Sequence, residues 1–286
     1  MEGITSVDRR TNISKKELFH DYVQKGLPVV LTDATKEWKA FGKLTPTFFK
    51  QKYGHIKIDI DNKTYLLGDI IDMMMDSSPE HPSPYPCNFN VDKTFPELVD
   101  DFLPHVHYGK QNRIFNPLIP KSFLKGTEVA ELFFGGKGSF FPTLHIDALF
   151  LHTQITQIYG SKEFFIFPPE QAIYMYPRKE NPKLSSIKNP LDPDLEKFPL
   201  FKNAKPVKVM VNEGETILFS TGWWHYTRMY EPCISYGMVQ LNHANYKPFV
   251  SDNIALIKKY HPQMAAPLNV YSKIAGVIMN ATERIK

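Results

Sequence analysis

The chain has 286 residues, 42% of them hydrophobic, and its 34 basic and 30 acidic side chains leave a net charge of +4. That length suits one large domain with small additions or two modest ones, and the charges are scattered without a like-charge run, which argues against a basic tail for nucleic acid. Cys87 and Cys233 are too few for a disulfide framework and too far apart for a zinc knuckle. No segment has the unbroken apolar length of a signal peptide core or a membrane span, so the expectation is a soluble, cytoplasmic protein with no membrane partner.

The first elements read as helix, strand, helix. Ser14 is placed to cap "SKKELFHDYVQKG", in which Leu18 and Tyr22 lie one turn apart and Gly26 is the stop. "LPVVLT" is a short β-branched strand, and "LTPTFFKQKYG" opens on Thr45-Pro46 and closes at Gly54. The proline-rich "SSPEHPSPYPCN" (77–88) predicts irregular backbone or an edge strand. From residue 139 the pattern becomes short apolar strands joined by Gly, Pro and Asn: "FFPTLHIDALF", "TQITQIY", "KEFFIFPP", "VKVMV", "TILFS" and "CISYGMVQLN". Such a series predicts a barrel or a double-sheet jelly roll. The excursion 172–206 is too long for a passive hairpin loop and is expected to be functional. The tail, 249–286, returns to helical spacing, with Ile274, Val277, Ile278 and Ala281 forming one apolar stripe that must be buried against this chain or another.

Within "TLHIDALFL", strand geometry directs Thr143, His145 and Asp147 to one face. An imidazole and a carboxylate so placed are two adjacent metal ligands. If His225 of "STGWWHYT" joins them, two histidines and a carboxylate hold one side of an ion and leave the other open, the preference of non-haem Fe(II). His105 and His107 have the same spacing but no carboxylate in pattern and read as loop or surface histidines; His152, of opposite parity to His145, is placed in the substrate wall. Trp223 and Trp224 either wall the site or fill the core.

These motifs together resemble the cupin-like, Jumonji-type 2-oxoglutarate oxygenases, in particular the branch of the asparaginyl hydroxylase that inhibits hypoxia-inducible factor. His145-Ile146-Asp147 matches the family's HxD, "GSKEFFIFPPEQ" its GxK…FPP, "LDPDLEKFPLF" its NPD loop and "GETILFSTGWWH" the strand of the last ligand; the two histidines are 225 − 145 = 80 positions apart. The resemblance implies a mainly β fold with flanking helices: a double-stranded β-helix (jelly roll) over residues 1–248 including the N-terminal leader, followed by a helical tail, 249–286. It implies Fe(II) on His145, Asp147 and His225, and 2-oxoglutarate held through its 5-carboxylate by Lys162 and Tyr85. Two positions depart from the pattern. Pro142 stands where a hydroxyl residue is usual, leaving Thr143 as the nearest substitute, and Val239 or Gln240 replaces an asparagine. The implied activity is hydroxylation of a protein or peptide side chain, with demethylation, hydroxylation of an RNA base and a non-catalytic binding module as alternatives. Nucleic acid is disfavoured by the scattered lysines. The implied assembly is a homodimer through the C-terminal helices.

Overall fold

A large mixed sheet carries the fold, and each of its two faces has a different cover. The computed structural model describes residues 4–106, 111–125 and 127–283. The strands are β1 (Asp8–Arg10), β2 (Val29–Leu31), β3 (Lys57–Ile60), β4 (Lys63–Leu66), β5 (Cys87–Asn90), β6 (Ala130–Gly135), β7 (His152–Tyr159), β8 (Lys162–Phe167), β9 (Val207–Val211), β10 (Thr216–Phe219), β11 (Trp224–Arg228) and β12 (Cys233–Gln240). Seven form the large sheet in the order β1-β2-β10-β7-β12-β6-β5, and three form a smaller sheet in the order β11-β8-β9. Apart from the parallel pair β1–β2, neighbours in both sheets are antiparallel. Two facing sheets with helices outside make the expected jelly roll.

The helices before the barrel follow their sequence signals. Ser14 and Glu17 form a reciprocal capping box on α1 (Lys15–Glu17), which runs on as a π-helical turn over Leu18–Val23. Thr45 caps α2 (Pro46–Tyr53), whose first position takes Pro46 because its missing N–H is not needed there. The β3–β4 hairpin turns through Asp61 and Asn62, both at positive φ (49° and 63°), the conformation a two-residue loop of this hand demands. It leads into α3 (Leu67–Met75), whose Leu67, Ile70, Ile71 and Met74 bury one helical face. These side chains, with Trp38, Phe49, Phe134 and Tyr236, make the core on the outer face of the large sheet. Each is worth roughly 1.5–3 kcal/mol of burial. A short helix α4 (Val91–Thr94), capped by Asn90, closes this layer.

The inner face of the large sheet looks onto the small one. On β12, Ile234, Tyr236 and Met238 belong to the outer core, whereas Gly237 and Val239 reach the space between the sheets. The run Phe140–Phe150, expected as one continuous strand, is broken. Phe140 and His145 bridge Arg228 and His225 of β11, but Pro142 between them cannot donate, and the register slips there. Beyond Asp147, Leu149 and Phe150 adopt left-handed φ of 57° and 52° in a 3-10 turn that swings the chain into β7. Such conformations cost of order 1–3 kcal/mol each and are tolerated here immediately after a candidate ligand.

The excursion 172–206 packs against that segment. Ile146 N–H donates to Lys183 O (2.9 Å) and Ser185 N–H to Leu144 O (2.8 Å), so residues 183–185 brace the backbone that presents His145 from the side away from β11.

The tail folds as α5 (Tyr246–Tyr260) and α6 (Pro262–Thr282), so the expected boundary after residue 248 falls inside a helix. α6 presents Ser272, Ala275, Gly276 and Met279 to its own chain. Gly276 permits the contact, since a Cβ there would lie 2.7 Å from the Tyr246 ring. The expected stripe is the opposite face: Ile274, Val277 and Ile278 are 56%, 69% and 46% exposed, and Ala281 is exposed beside them. Arg113, wholly buried, ties the end of α6 down through an ion pair with Glu283 (2.8 Å) and a hydrogen bond to Asn280 (2.6 Å). No helix among the described residues is long and apolar enough to cross a membrane.

Candidate metal centre and anion pocket

His145, Asp147 and His225 meet at one end of a cavity of about 280 Å³ between the two sheets. One donor atom from each lies within 4.8 Å of the others. Asp147 spans the pair: Oδ1 is 3.9 Å from His145 Nε2 and Oδ2 is 3.9 Å from His225 Nε2. Two ligands at roughly 2.0–2.2 Å from a shared ion can stand no more than about 4.4 Å apart. The imidazole–carboxylate spacings satisfy that limit.

The backbone sets both histidine tautomers in the same way. His145 Nδ1 donates to Thr143 O (2.8 Å) and His225 Nδ1 to Trp223 O (3.1 Å), in each case the carbonyl two residues back. With the proton held on Nδ1, each Nε2 keeps its lone pair for the metal side. Burial and the neighbouring His225 push His145 down to about 4, so it is neutral at physiological pH. Asp147 accepts a hydrogen bond from Thr153 Oγ1 on β7. Phe141 stacks on His145 (centroids 4.7 Å apart) and Phe219 packs on His225 (4.6 Å), giving the ligands an apolar flank.

At the other end stands Lys162, 2% exposed, at the first position of β8. Its Nζ is 3.2 Å from Tyr85 Oη and lies over the Tyr85 and Phe133 rings at 5.5 and 5.7 Å. Gly135 makes room for this tyrosine, because a Cβ there would come within 3.0 Å of its ring and 2.7 Å of Met229 Cε. Burial pushes the Tyr85 phenol and the Cys233 thiol up, so neither is an anion at neutral pH. Among the described residues no carboxylate pairs with Lys162, and a buried ammonium without a counter-charge is costly. Thr227 completes the corner: it lies two residues after His225 on the same side of β11, with its hydroxyl buried beside the Tyr85 phenol. Ammonium, phenol and hydroxyl converge on one corner of the cavity, an arrangement with the donors to accept a carboxylate.

Comparison with known proteins now decides the family. The cupin-like domain model matches residues 15–242. The chain belongs to the cupin-like domain family. JmjC domain-containing protein D of Dictyostelium discoideum is 25% identical over 236 residues, 75% of this chain and 52% of that protein. Lysine-specific demethylase JMJ30 of Arabidopsis thaliana is 25% identical over 229 residues, covering 78% and 52%. HSPB1-associated protein 1 of Homo sapiens is 31% identical over 112 residues, covering 35% of this chain and 23% of its own length. This cupin-like chain thus spans about half or less of the curated relatives it matches.

Other expected residues of this cupin-like domain lie elsewhere. Thr143 does not line the cavity; it contributes its carbonyl to His145, and the hydroxyls at the site are those of Thr153 and Thr227. Val239 lines the cavity, whereas Gln240 points to the other face, where Nε2 donates to Val106 O (2.5 Å) and Gln154 Oε1 (2.9 Å). His152 is not in the substrate wall. The parity of β7 turns it away, and Nδ1 accepts from Thr221 N–H (3.2 Å). Trp223 packs with Val30 and Phe164 and donates to Gly26 O (2.8 Å), and Trp224 packs with Leu144 and Phe167, so both fill cores. His105 is half-buried in the loop after Phe102, and His107 lies outside the described residues. Thr227 was discoverable by the period-2 argument that joins His145 to Asp147. Thr153 was not, because only the turn at Leu149–Phe150 brings it back to Asp147.

Proposed function

We propose that the chain is an Fe(II)- and 2-oxoglutarate-dependent oxygenase that hydroxylates a side chain of a protein or peptide, releasing succinate and CO2. The observation that carries this reading is Lys162: a buried ammonium without a carboxylate partner among the described residues, in the same cavity as two histidines and an aspartate with donor atoms turned to one another. The donor set suits Fe(II), because two neutral imidazoles and one carboxylate leave positions open for a cosubstrate and oxygen. When bound, iron and 2-oxoglutarate together supply the oxidising chemistry.

The protein's own residues do the rest. Lys162, Tyr85 and Thr227 bind the 5-carboxylate and set the distance of the 2-oxo end from the metal ligands. Thr143 O and Trp223 O hold the imidazoles in their ligating tautomer. Thr153 orients Asp147. Phe141, Phe164 and Phe219 keep water from the reacting centre. Relatives named as a lysine demethylase and as an HSPB1-associated protein support a proteinaceous substrate. The uncovered stripe on α6 supports a homodimer through the C-terminal helices.

The test is anaerobic reconstitution with Fe(II) and 2-oxoglutarate, read by the metal-to-ligand charge-transfer absorption of chelated 2-oxoglutarate. Oxygen is then admitted and succinate is measured with and without candidate peptides. Absence of both the absorption and succinate refutes the reading.

A further inference from the structure

The excursion 172–206 does more than brace His145: with the outer face of the small sheet it encloses a second cavity, of about 410 Å³. Strand register fixes the sheet side. Tyr226, Phe165 and Lys208 stand in one row across β11, β8 and β9, and Arg228 and Glu163 stand in the next. His225 and Thr227, on either side of Tyr226, face the metal cavity. The two cavities therefore lie back to back on β11, and Tyr226 is the one described residue common to both linings.

The wall opposite the sheet is Pro190, Leu191, Pro193, Phe201 and Ala204. Proline has no N–H and these side chains carry no donor, so polar recognition has to come from the sheet. There the Phe165 and Tyr226 rings stack on each other, with centroids 4.6 Å apart and 6° between their planes, and Lys208 Nζ lies 5.3 Å over the Phe165 ring. Rings whose faces are occupied in this way turn their edges, the positive part of the quadrupole, to the cavity. Tyr226 is 4% exposed and its hydroxyl makes no hydrogen bond among the described residues; burial pushes the phenol up, so it remains a donor at neutral pH. Arg228 Cζ lies 5.0 Å over the Tyr230 ring, and the guanidinium bears on the Tyr230 hydroxyl, which itself donates to Glu163 Oε2 at 2.6 Å. That contact takes one of five N–H donors. Neither Arg228 nor Lys208 forms an ion pair among the described residues, and against Glu163 they leave a net charge of 2 − 1 = +1 on this side of the sheet.

We propose that this cavity is a second ligand site, which takes a planar aromatic monocarboxylate with its carboxylate on Arg228 and Tyr226 and its ring between the Phe165–Tyr226 stack and the wall of Pro193 and Phe201. The site needs neither the metal nor the oxygenase reading. A single negative charge matches the net charge of the sheet side, a guanidinium takes a carboxylate through paired N–H donors, and a flat ring matches walls built of aromatic and proline rings. The cavity has the volume usual for small-molecule sites.

The experiment titrates the full-length chain with 2-naphthoate, its neutral shape-mate 2-naphthamide and the aliphatic acid hexanoate, followed by calorimetry and by ligand-detected magnetic resonance. 2-Naphthoate should bind about 10–100-fold more tightly than 2-naphthamide, the loss expected when a charge-assisted hydrogen bond is removed. Arg228→Gln should reduce its affinity by the same factor. Tyr226→Phe, which removes one oxygen and keeps the ring stack, should reduce it about 2–10-fold, and this variant decides the matter if Arg228→Gln does not fold. Lys162 is the other carboxylate receptor of the chain, so binding is also measured in Lys162→Met, where the affinity for 2-naphthoate should be unchanged. Loss of binding in Lys162→Met would put the probe in the metal cavity and overturn the proposal. Equal binding of 2-naphthamide, equal binding of hexanoate, or an affinity that survives both Arg228→Gln and Tyr226→Phe overturns it as well.

Discussion

His145 and His225 are paired residue to residue: His225 N–H donates to His145 O at 2.8 Å and His145 N–H to His225 O at 3.2 Å, with the imidazole centroids 4.2 Å apart. The geometry of the two candidate ligands is therefore set by a backbone bridge and not by side-chain packing alone. Asp147, beyond the bridge, depends on Thr153 for its orientation.

Thr153→Val should consequently weaken metal binding while the histidine pair stays intact. Loss of a hydrogen bond to a ligating group typically costs about 10–100-fold in metal affinity. Competition titration with Mn(II) or Zn(II) against a chromophoric chelator measures it. Affinity equal to that of the parent protein would detach Thr153 from the site.

Lys162→Met separates the cosubstrate from the metal. Without the ammonium, 2-oxoglutarate binding should fall by roughly one to two orders of magnitude, with metal affinity nearly unchanged. The same substitution removes a buried charge that has no carboxylate partner among the described residues, so the melting temperature without 2-oxoglutarate should rise. A lower melting temperature in Lys162→Met would mean that the ammonium is already compensated.

Glu283 anchors the C-terminal end of α6. Its side chain is 4% exposed and that of Arg113 is 1% exposed, and the guanidinium also lies 5.0 Å over the Tyr246 ring. Glu283→Ala strands the guanidinium, and breaking a buried pair from one side costs about 3–5 kcal/mol. Urea unfolding monitored by fluorescence should show the midpoint falling accordingly, with the slope unchanged.

Acid should weaken the fold through buried neutral imidazoles. Burial lowers His152 from 6.5 to about 4, and its Nδ1 is committed as an acceptor. Because the folded value lies below the unfolded one, the unfolded chain binds more protons between them. The contribution is complete above pH 6.5, is lost as the pH falls towards 4, and amounts to on the order of 3 kcal/mol. His145, pushed down to about 4, adds with the same sign. Unfolding midpoints at pH 7 and pH 4.5 measure the slope, and His152→Gln, which retains an acceptor for Thr221, should flatten it.

The exposed stripe on α6 makes the homodimer testable without truncating the chain. Ile274→Glu combined with Val277→Glu places two charges on the uncovered face and leaves the contacts of Ala275, Gly276 and Met279 untouched. Light scattering should report a dimer for the parent chain and a monomer of about 33 kDa for the variant. A parent chain that is monomeric at high micromolar concentration removes the assembly.

The linear sequence carried what depends on local period and punctuation. Alternation marked β7 to β10 and β12, Ser14 and Thr45 marked helix starts, and the HxD and WWH motifs together singled out His145, Asp147 and His225. It failed where a residue's neighbours come from distant segments. Pro142 and the left-handed pair Leu149–Phe150 turned an expected strand into a bulge and a corner, which moved the useful hydroxyl from Thr143 to Thr153. Parity within β7 and β12 could be assigned only once the inner face of the sheet was known, and this decided that His152 and Gln240 face away while Val239 faces in. The stripe on α6 was legible as apolar, but which side the chain would cover was settled by Gly276 meeting Tyr246, since two helices approach most closely where one of them has no side chain. Period fixes which residues share a face; only the packing of one element on another fixes what that face meets.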